Sequence, residues 1–281
     1  MRTAYFIALH HKPNQFRWLF EAIYNPEDVF CIHVDHKSTS AFTAEIRAYI
    51  GTRPNVAFLK SRPVIWGGWS QVAVELEAIQ QLLGMSSDWK YYINLSGQDY
   101  PLRSMAQIKQ SLQCAWPNNF IRVWDFEKVR SLEPNDPHLV RRLAFEAFGR
   151  LIQTKVPLPF PRSLNIKYKG SNWHMLTREF CGWATTHPVA DKIASYARKV
   201  VSSDEVFFQA LIMNGPFKDR RMPDSGRFVI WPGPKILRTE DYPKMLATDC
   251  MFARKFDEAT DREVLMQLAK HGGHPVPTAP S

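Results

Sequence analysis

"VAFLKSRPVIWGGWSQVAVELEAIQQLLGMSSDWKYYINLSG" (residues 56–97) decides the fold. It opens on a short apolar run, "VAFLKS" (56–61), which predicts a strand. "WSQVAVELEAIQQLLG" (69–84) places apolar residues at helical spacing, with Gly67 and Gly68 before it and Gly84 as the expected C-terminal stop. "KYYINLSG" (90–97) is again a buried-type strand. A strand, a helix of sixteen residues and another strand form a crossover unit, and crossover units build parallel sheets.

The same rhythm extends in both directions. Upstream, "AYFIALHH" (4–11) and "VFCIHVD" (29–35) read as strands, and "NQFRWLFEAIY" (14–24) and "FTAEIRAYI" (42–50) as helices. Downstream, "SMAQIKQSL" (104–112) predicts a helix, and "FIRVWD" (120–125) and "SNWHMLT" (171–177) predict strands. The expectation is an α/β, three-layer αβα sandwich with a mainly parallel central sheet. Residues 126–165 are richer in proline and charge and are expected to be an irregular flap, and 271–281 a disordered tail. The rest, 1–270, is expected to be a single domain, with a nucleotide-binding half (1–125) and an acceptor and catalytic half (166–270).

The chain has 281 residues, 45% of them hydrophobic, with 18 Phe, 9 Trp and 9 Tyr, enough for a full core. Its net charge of +9 favours anionic partners, and the absence of a Lys/Arg-rich block argues against nucleic acid. Cys31, Cys114, Cys181 and Cys250 lack C-x-x-C spacing, so reduced core thiols are expected. No apolar stretch is long enough to cross a bilayer. A cytoplasmic protein follows, with any membrane contact peripheral at the inner membrane surface.

In open α/β sheets ligands collect beyond the carboxyl ends of the strands. Asp35 ("HVDHKS") and Asp99 ("SGQDYP") fall at two such ends, though either residue also suits a turn. Neither a P-loop nor a G-x-G-x-x-G fingerprint is present, so a phosphate would be held by side-chain cations. The best candidates are Arg254 and Lys255 in "MFARKFD" (251–257), flanked by Phe252 and Phe256 as apolar anchors. In "VVSSDEVFFQALIMNG" (200–215), Ser202 or Ser203 is expected to cap a helix that begins with Asp204 and Glu205. A competing metal reading uses His10, His11, His33, Asp35 and His36.

Six segments in order resemble the core-2/I-branching enzyme and peptide O-xylosyltransferase group, glycosyltransferase family 14. They are "IHVDHKS" (32–38), "VIWGGWSQVAVELEAIQQLL" (64–83), "WKYYINLSGQDYPLRS" (89–104), "KGSNWHMLTREF" (169–180), "SSDEVFFQALIMN" (202–214) and "MFARKFD". "WGG", "DEVFFQALIMN" and "FARKFD" are more similar to the xylosyltransferase branch, as a bacterial-type member. The resemblance implies a GT-A fold, a UDP-sugar donor, a carbohydrate, glycolipid or peptide acceptor, and transfer with inversion to a β-linkage. No cofactor and no divalent metal are implied.

Carried over by position, the resemblance makes Glu205 the catalytic base, with Asp204 a structural neighbour. It puts Arg254 and Lys255 on the diphosphate, Asp35 near the nucleoside, and Asp99 where related enzymes carry a metal-binding D-x-D. Ser171 and Trp173 fall on the acceptor side. Trp66 and Trp69 join Trp173 as aromatics that either stack on sugar rings or pack the core. The stem, anchor and cysteine framework of the family's animal enzymes have no counterpart in these segments. Two other readings stay open: a catalytically silent carbohydrate- or nucleotide-binding homologue, and a metal-dependent phosphoesterase.

Overall fold

The computed structural model describes residues 1–132, 142–231 and 233–277. Along the chain the first elements are β1 (Arg2–Leu9), α1 (Pro13–Ile23), β2 (Val29–Val34), α2 (Ser40–Ile50), β3 (Val56–Phe58), α3 (Trp69–Met85), β4 (Trp89–Ser96), β5 (Asp99–Pro101) and α4 (Met105–Ala115). There follow β6 (Asn119–Ile121), β7 (Trp124–Asp125), α5 (Phe126–Leu132), β8 (Arg142–Ala147), β9 (Arg150–Pro157), β10 (Tyr168–Lys169) and β11 (His174–Thr177). The last are α6 (Arg178–Thr186), α7 (Pro188–Ala197), α8 (Phe207–Met213), β12 (Arg221–Met222), β13 (Arg227–Val229), α9 (Tyr242–Leu246), β14 (Phe252–Arg254) and α10 (Arg262–Gly272).

The residues expected to form one domain fall into two compact units. The first comprises Met1–Lys60, Asp88–Trp116 and Gly226–Ser281. Its strands lie in the order β4-β1-β2-β3, all parallel, with Ala4 opposite Val29 and Tyr92, and Phe30 opposite Val56. Every residue of β2 is buried, as the unbroken apolar run "VFCIHV" requires of a strand covered on both faces. Phe16, Trp18, Leu19, Phe20 and Ile23 of α1 are buried. Helix starts are set locally: the Thr39 side chain accepts from Phe42 N–H, and Ser104 and Gln107 form a capping box. A second sheet, β13-β14-β5, runs β14 antiparallel to β5, so that Arg254 stands directly opposite Asp99.

The second unit comprises Ser61–Ser87 and Pro117–Ser225. Its strands include β12-β6-β11, the hairpin β8–β9 and the pair β7–β10. The α/β expectation holds in a mainly parallel sheet with helices between its strands.

Four local expectations are corrected. The strand expected over 120–125 is two strands with different partners: β6 pairs with β11 and β12, and β7 with β10. Gly84 lies inside the last turn of α3, which ends at Met85. The segment 126–165 contains α5 and the regular β8–β9 hairpin, while 133–141 lie outside the described residues. His271 and Gly272 of the expected tail close α10, and 278–281 lie outside the described residues. The four cysteines are free thiols; Cys31 and Cys181 are buried, but Cys114 is exposed and Cys250 half-buried.

Candidate active site

In the first unit, cationic and imidazole groups gather at the carboxyl ends of β1, β2 and β4. Asp99, two residues beyond Gly97, is fully buried. Its Oδ2 accepts from Ser96 N–H at 2.7 Å, which holds the tight turn from β4 into β5. The same carboxylate lies 3.3 Å from Arg254 Nε and 3.9 Å from Arg227 Nη1. Arg227 in turn donates from Nη2 to the Asn94 carbonyl at 2.8 Å. One buried anion thus serves two guanidinium groups. Burial pushes the Arg227 side chain down to about 10, with Arg254's charge adding to the fall and Asp99 opposing it. Arg254 is lowered for the same first reason and likewise opposed by Asp99.

Lys255 follows with its side-chain amine lowered by burial, then by the charges of Arg254 and Lys12. The expected apolar anchors are in place: Phe252 and Phe256 are fully buried. Phe256 N–H donates to the Gln98 carbonyl at 2.8 Å, and Gln98 Nε2 returns a bond to the Phe256 carbonyl at 3.0 Å. Lys12 pairs with Asp257. His10 and His11 stack with ring centroids 3.9 Å apart. Burial and neighbouring positive charge push His11 down to about 4 and lower His10. Asp35 terminates β2 in an Asx-type turn, its Oδ1 accepting from Lys37 N–H at 2.9 Å, and its charge acts on His10. Crowded positive charge around His10 and His11 disfavours a metal cation there. Among the described residues, no group of three or more His, Cys, Asp or Glu could hold a metal ion.

The second unit holds the paired acids. Ser203–Glu205 is a 3₁₀ turn, not the start of an α-helix, and no serine side chain caps it. The Ser203 hydroxyl is taken by the carbonyls of Ala197 (2.8 Å) and Val200 (3.1 Å), which corrects the capping expectation. Ser202 sits at φ +57°, and Ser203 N–H donates to the carbonyl of Gly67, itself at φ +71°. From the other side, Gly170 N–H donates to the Glu205 carbonyl at 2.8 Å. A Cβ at Gly170 would lie 1.8 Å from the Arg122 carbonyl oxygen, so only glycine permits this approach.

The two acids then differ. Glu205 keeps 29% of its side chain exposed and pairs its Oε2 with Lys169 Nζ at 2.8 Å. Asp204 is 8% exposed, with Oδ1 lacking a hydrogen-bond partner. Burial, then the charge of Glu205, pushes Asp204 up to about 7. Glu75 adds to that rise and itself pairs with His174 at 2.7 Å.

The acceptor-side candidates divide. Trp66 is 74% exposed, beside Gly67. Ser171 and Trp173 follow Lys169–Gly170; the Ser171 carbonyl accepts from Gln209 Nε2 at 2.7 Å, and Trp173 is half-buried. Trp69 is half-buried, packs edge-on against Phe207 and lies under the Arg198 guanidinium. The structure places Asp35, Asp99, Arg254 and Lys255 in the first unit and Glu205, Trp66, Ser171 and Trp173 in the second. This corrects the expected halves, which set Arg254 and Lys255 with Glu205 in 166–270 and Trp66 with Asp99 in 1–125. Sequence reasoning missed Arg227, Lys12 and Lys169. A lone arginine opening the apolar run "RFVIW" was the available signal for Arg227; lysines such as 12 and 169 carry none.

A sequence profile described as "Core-2/I-Branching enzyme" matches residues 3–258. The chain is 28% identical, over 96% of its length and 69% of the relative, to a human β-1,3-galactosyl-O-glycosyl-glycoprotein β-1,6-N-acetylglucosaminyltransferase. It is 32% identical to a mouse N-acetyllactosaminide β-1,6-N-acetylglucosaminyl-transferase, over 74% of this chain and 52% of that one. Among solved structures, it is similar to mouse xyloside xylosyltransferase 1, with TM-score 0.44 and 11% identity over 89% of this chain and 97% of that one. The galactosyltransferase LgtC gives TM-score 0.45 and 12% identity, over 98% and 97%. Among the described residues no helix is long and apolar enough to cross a membrane.

Proposed function

The chain belongs to the core-2/I-branching enzyme family, and from that premise we propose that it is an inverting, metal-independent glycosyltransferase acting on a UDP-sugar. In the proposed reaction an acceptor hydroxyl attacks the anomeric carbon as the bond from that carbon to the diphosphate oxygen breaks. UDP leaves with the bonding electron pair, the hydroxyl proton passes to Glu205, and a single displacement inverts the configuration to β. The donor sugar is N-acetylglucosamine or xylose, and the acceptor a carbohydrate, glycolipid or peptide.

The observation that carries this reading is the buried Asp99 carboxylate shared by Arg254 and Arg227. An acid expected where related enzymes hold a metal is engaged with two guanidinium groups, and the positive charge that a metal would bring is supplied by Arg254 and Lys255. Such fixed cations need little reorganisation as charge develops on the leaving diphosphate. Burial is the main cause that lowers Lys255, His10 and His11, and a diphosphate would relieve the repulsion from neighbouring cations that adds to it. Asp35, next to His10 at the same strand ends, suits the nucleoside side.

The test is transfer from UDP-N-acetylglucosamine and UDP-xylose to a panel of aryl glycosides in excess EDTA, with the product's anomeric coupling read by NMR. Undiminished transfer giving a β-product is expected. Activity abolished by EDTA and restored by manganese, or an α-product, would overturn the mechanism. No release of UDP with any donor would favour the silent homologue.

A further inference from the structure

We propose that Lys169 is the positioning residue of the catalytic base, its ammonium holding one carboxylate oxygen of Glu205 so that the other is left to take the acceptor's proton. The inference rests on the assignment of Glu205 as base. It concerns the residue that opens the segment "KGSNWHMLTREF" (169–180), to which sequence reasoning assigned no role.

The grip is double. Lys169 Nζ lies 2.8 Å from Glu205 Oε2, and the next residue, Gly170, donates its N–H to the Glu205 carbonyl at 2.8 Å. One dipeptide therefore fixes both the main chain and the side-chain end of Glu205. The dipeptide is itself anchored, because Tyr168 and Lys169 of β10 pair with Asp125 and Trp124 of β7. Gly170 is held against the Arg122 carbonyl, where no side chain fits. Lys169 retains only 14% of its side-chain exposure, so this pair differs from the solvent-screened surface ion pairs that contribute little.

The choice of acid matters too. Two adjacent carboxylates compete for the ammonium. The fully partnerless oxygen is Asp204 Oδ1, in the more buried side chain, whereas Lys169 closes on the more exposed Glu205. Stability alone would favour neutralising the buried acid, because an unpaired buried charge is the costlier one. The ion pair instead orders the acid that solvent and substrate can reach. An unrestrained glutamate loses rotamer freedom on being ordered. Prior fixation removes that loss from the reacting complex, and a misplacement of about 1 Å can lower a rate by about 10²-fold. The arrangement has a counter-effect, since a nearby cation disfavours proton uptake by the acid it holds. The orientation must outweigh it, which is what the variants measure.

Lys169→Met, Lys169→Arg, Glu205→Gln and the Glu205→Gln/Lys169→Met double variant should be compared in transfer from UDP-N-acetylglucosamine and UDP-xylose to aryl glycosides. Hydrolysis of the same donors by water gives a second, acceptor-independent rate, and calorimetry gives UDP affinity. Lys169→Met is expected to lower kcat by about 10- to 100-fold, with donor KM and UDP affinity unchanged within about twofold. Lys169→Arg recovers most of the loss, and Lys169→Met makes Glu205→Gln no slower, because it acts only through Glu205. Turnover of Lys169→Met within about threefold of wild type overturns the proposal. So does a drop in the Glu205→Gln background as large as in wild type, which would mark a structural effect. Should Lys169→Met fail to fold, Lys169→Gln replaces it under the same criteria. Full turnover by Glu205→Gln removes the base assignment itself, and this inference with it, whatever the Lys169 variants do.

Discussion

The cations of the first unit and the acids of the second are built in opposite ways. Asp99, Arg227 and Arg254 are almost sealed from solvent, stand at strand ends in fixed register, and share one anion between two cations. Ser202–Glu205 is an irregular turn held by hydrogen bonds to Gly67 and Gly170, and Glu205, the proposed base, is part-exposed and paired with Lys169. A group that stabilises developing charge works best when it does not move, and burial in a register supplies that. A group that takes a proton must be reachable. Rigidity and access are therefore distributed to different elements, and each half should fail in its own way.

The largest effect is expected at the accessible acid. Glu205→Gln keeps the size and the main-chain bonds but cannot take a proton, and should lower kcat by about 10²- to 10⁴-fold. UDP affinity should stay within about twofold, read by calorimetry. Near-normal turnover would break the division of labour between the halves.

At the cationic half the failure should invert. Lys255→Met retains an apolar stem beside the buried Phe252 and Phe256 anchors and removes only the charge. UDP affinity should fall by about 10- to 150-fold, the scale of one charge-assisted hydrogen bond of about 1.5–3 kcal/mol. Donor KM should rise in parallel. A Lys255→Met protein that binds UDP normally would show that Lys255 faces something other than the diphosphate.

How much of this contrast was legible follows from the same physics. The strands and helices of the first unit could be read because covered parallel strands leave unbroken apolar runs and amphipathic helices leave a 3.6-residue period. Arg254 and Lys255 could be read because apolar anchors flank them. What periodicity does not carry is a partner distant in sequence. Nothing around Arg227 announces a buried carboxylate 128 residues earlier (227 − 99). Nothing in "KYKG" announces that Lys169 closes on residue 205. The 120–125 segment was misread for a related reason: pairing partners change at Arg122, where the Gly170 main chain crowds its carbonyl. The serine cap failed because the Ser203 hydroxyl turns back to donate to the carbonyls of Ala197 and Val200, and so does not accept from the amides of its own turn.

The smallest effect sharpens the contrast within the acid pair itself. Burial and the charge of Glu205 push Asp204 up to about 7, against roughly 3.9 for an unfolded aspartate. Between about pH 4 and pH 7 the folded chain therefore holds a proton that the unfolded chain has released. Stability falls as pH rises through that window and levels off above it. The depressed His10 and His11 act in the opposite sense, with stability lost as pH falls through and below the ordinary histidine range. A melting curve of the wild-type protein alone would mix the two. Asp204→Asn isolates the first, because the histidine contribution is common to both proteins and cancels in their difference. At pH 5 the wild-type acid is neutral and nearly isosteric with the amide, so the two melting temperatures should lie close together. At pH 8 the wild-type carboxylate is charged, buried and lacks a hydrogen bond at Oδ1, so Asp204→Asn should melt higher by a few degrees. A difference that does not change between pH 5 and pH 8 would mean that Asp204 is ionised throughout, and that Lys169 must then divide its charge between two carboxylates.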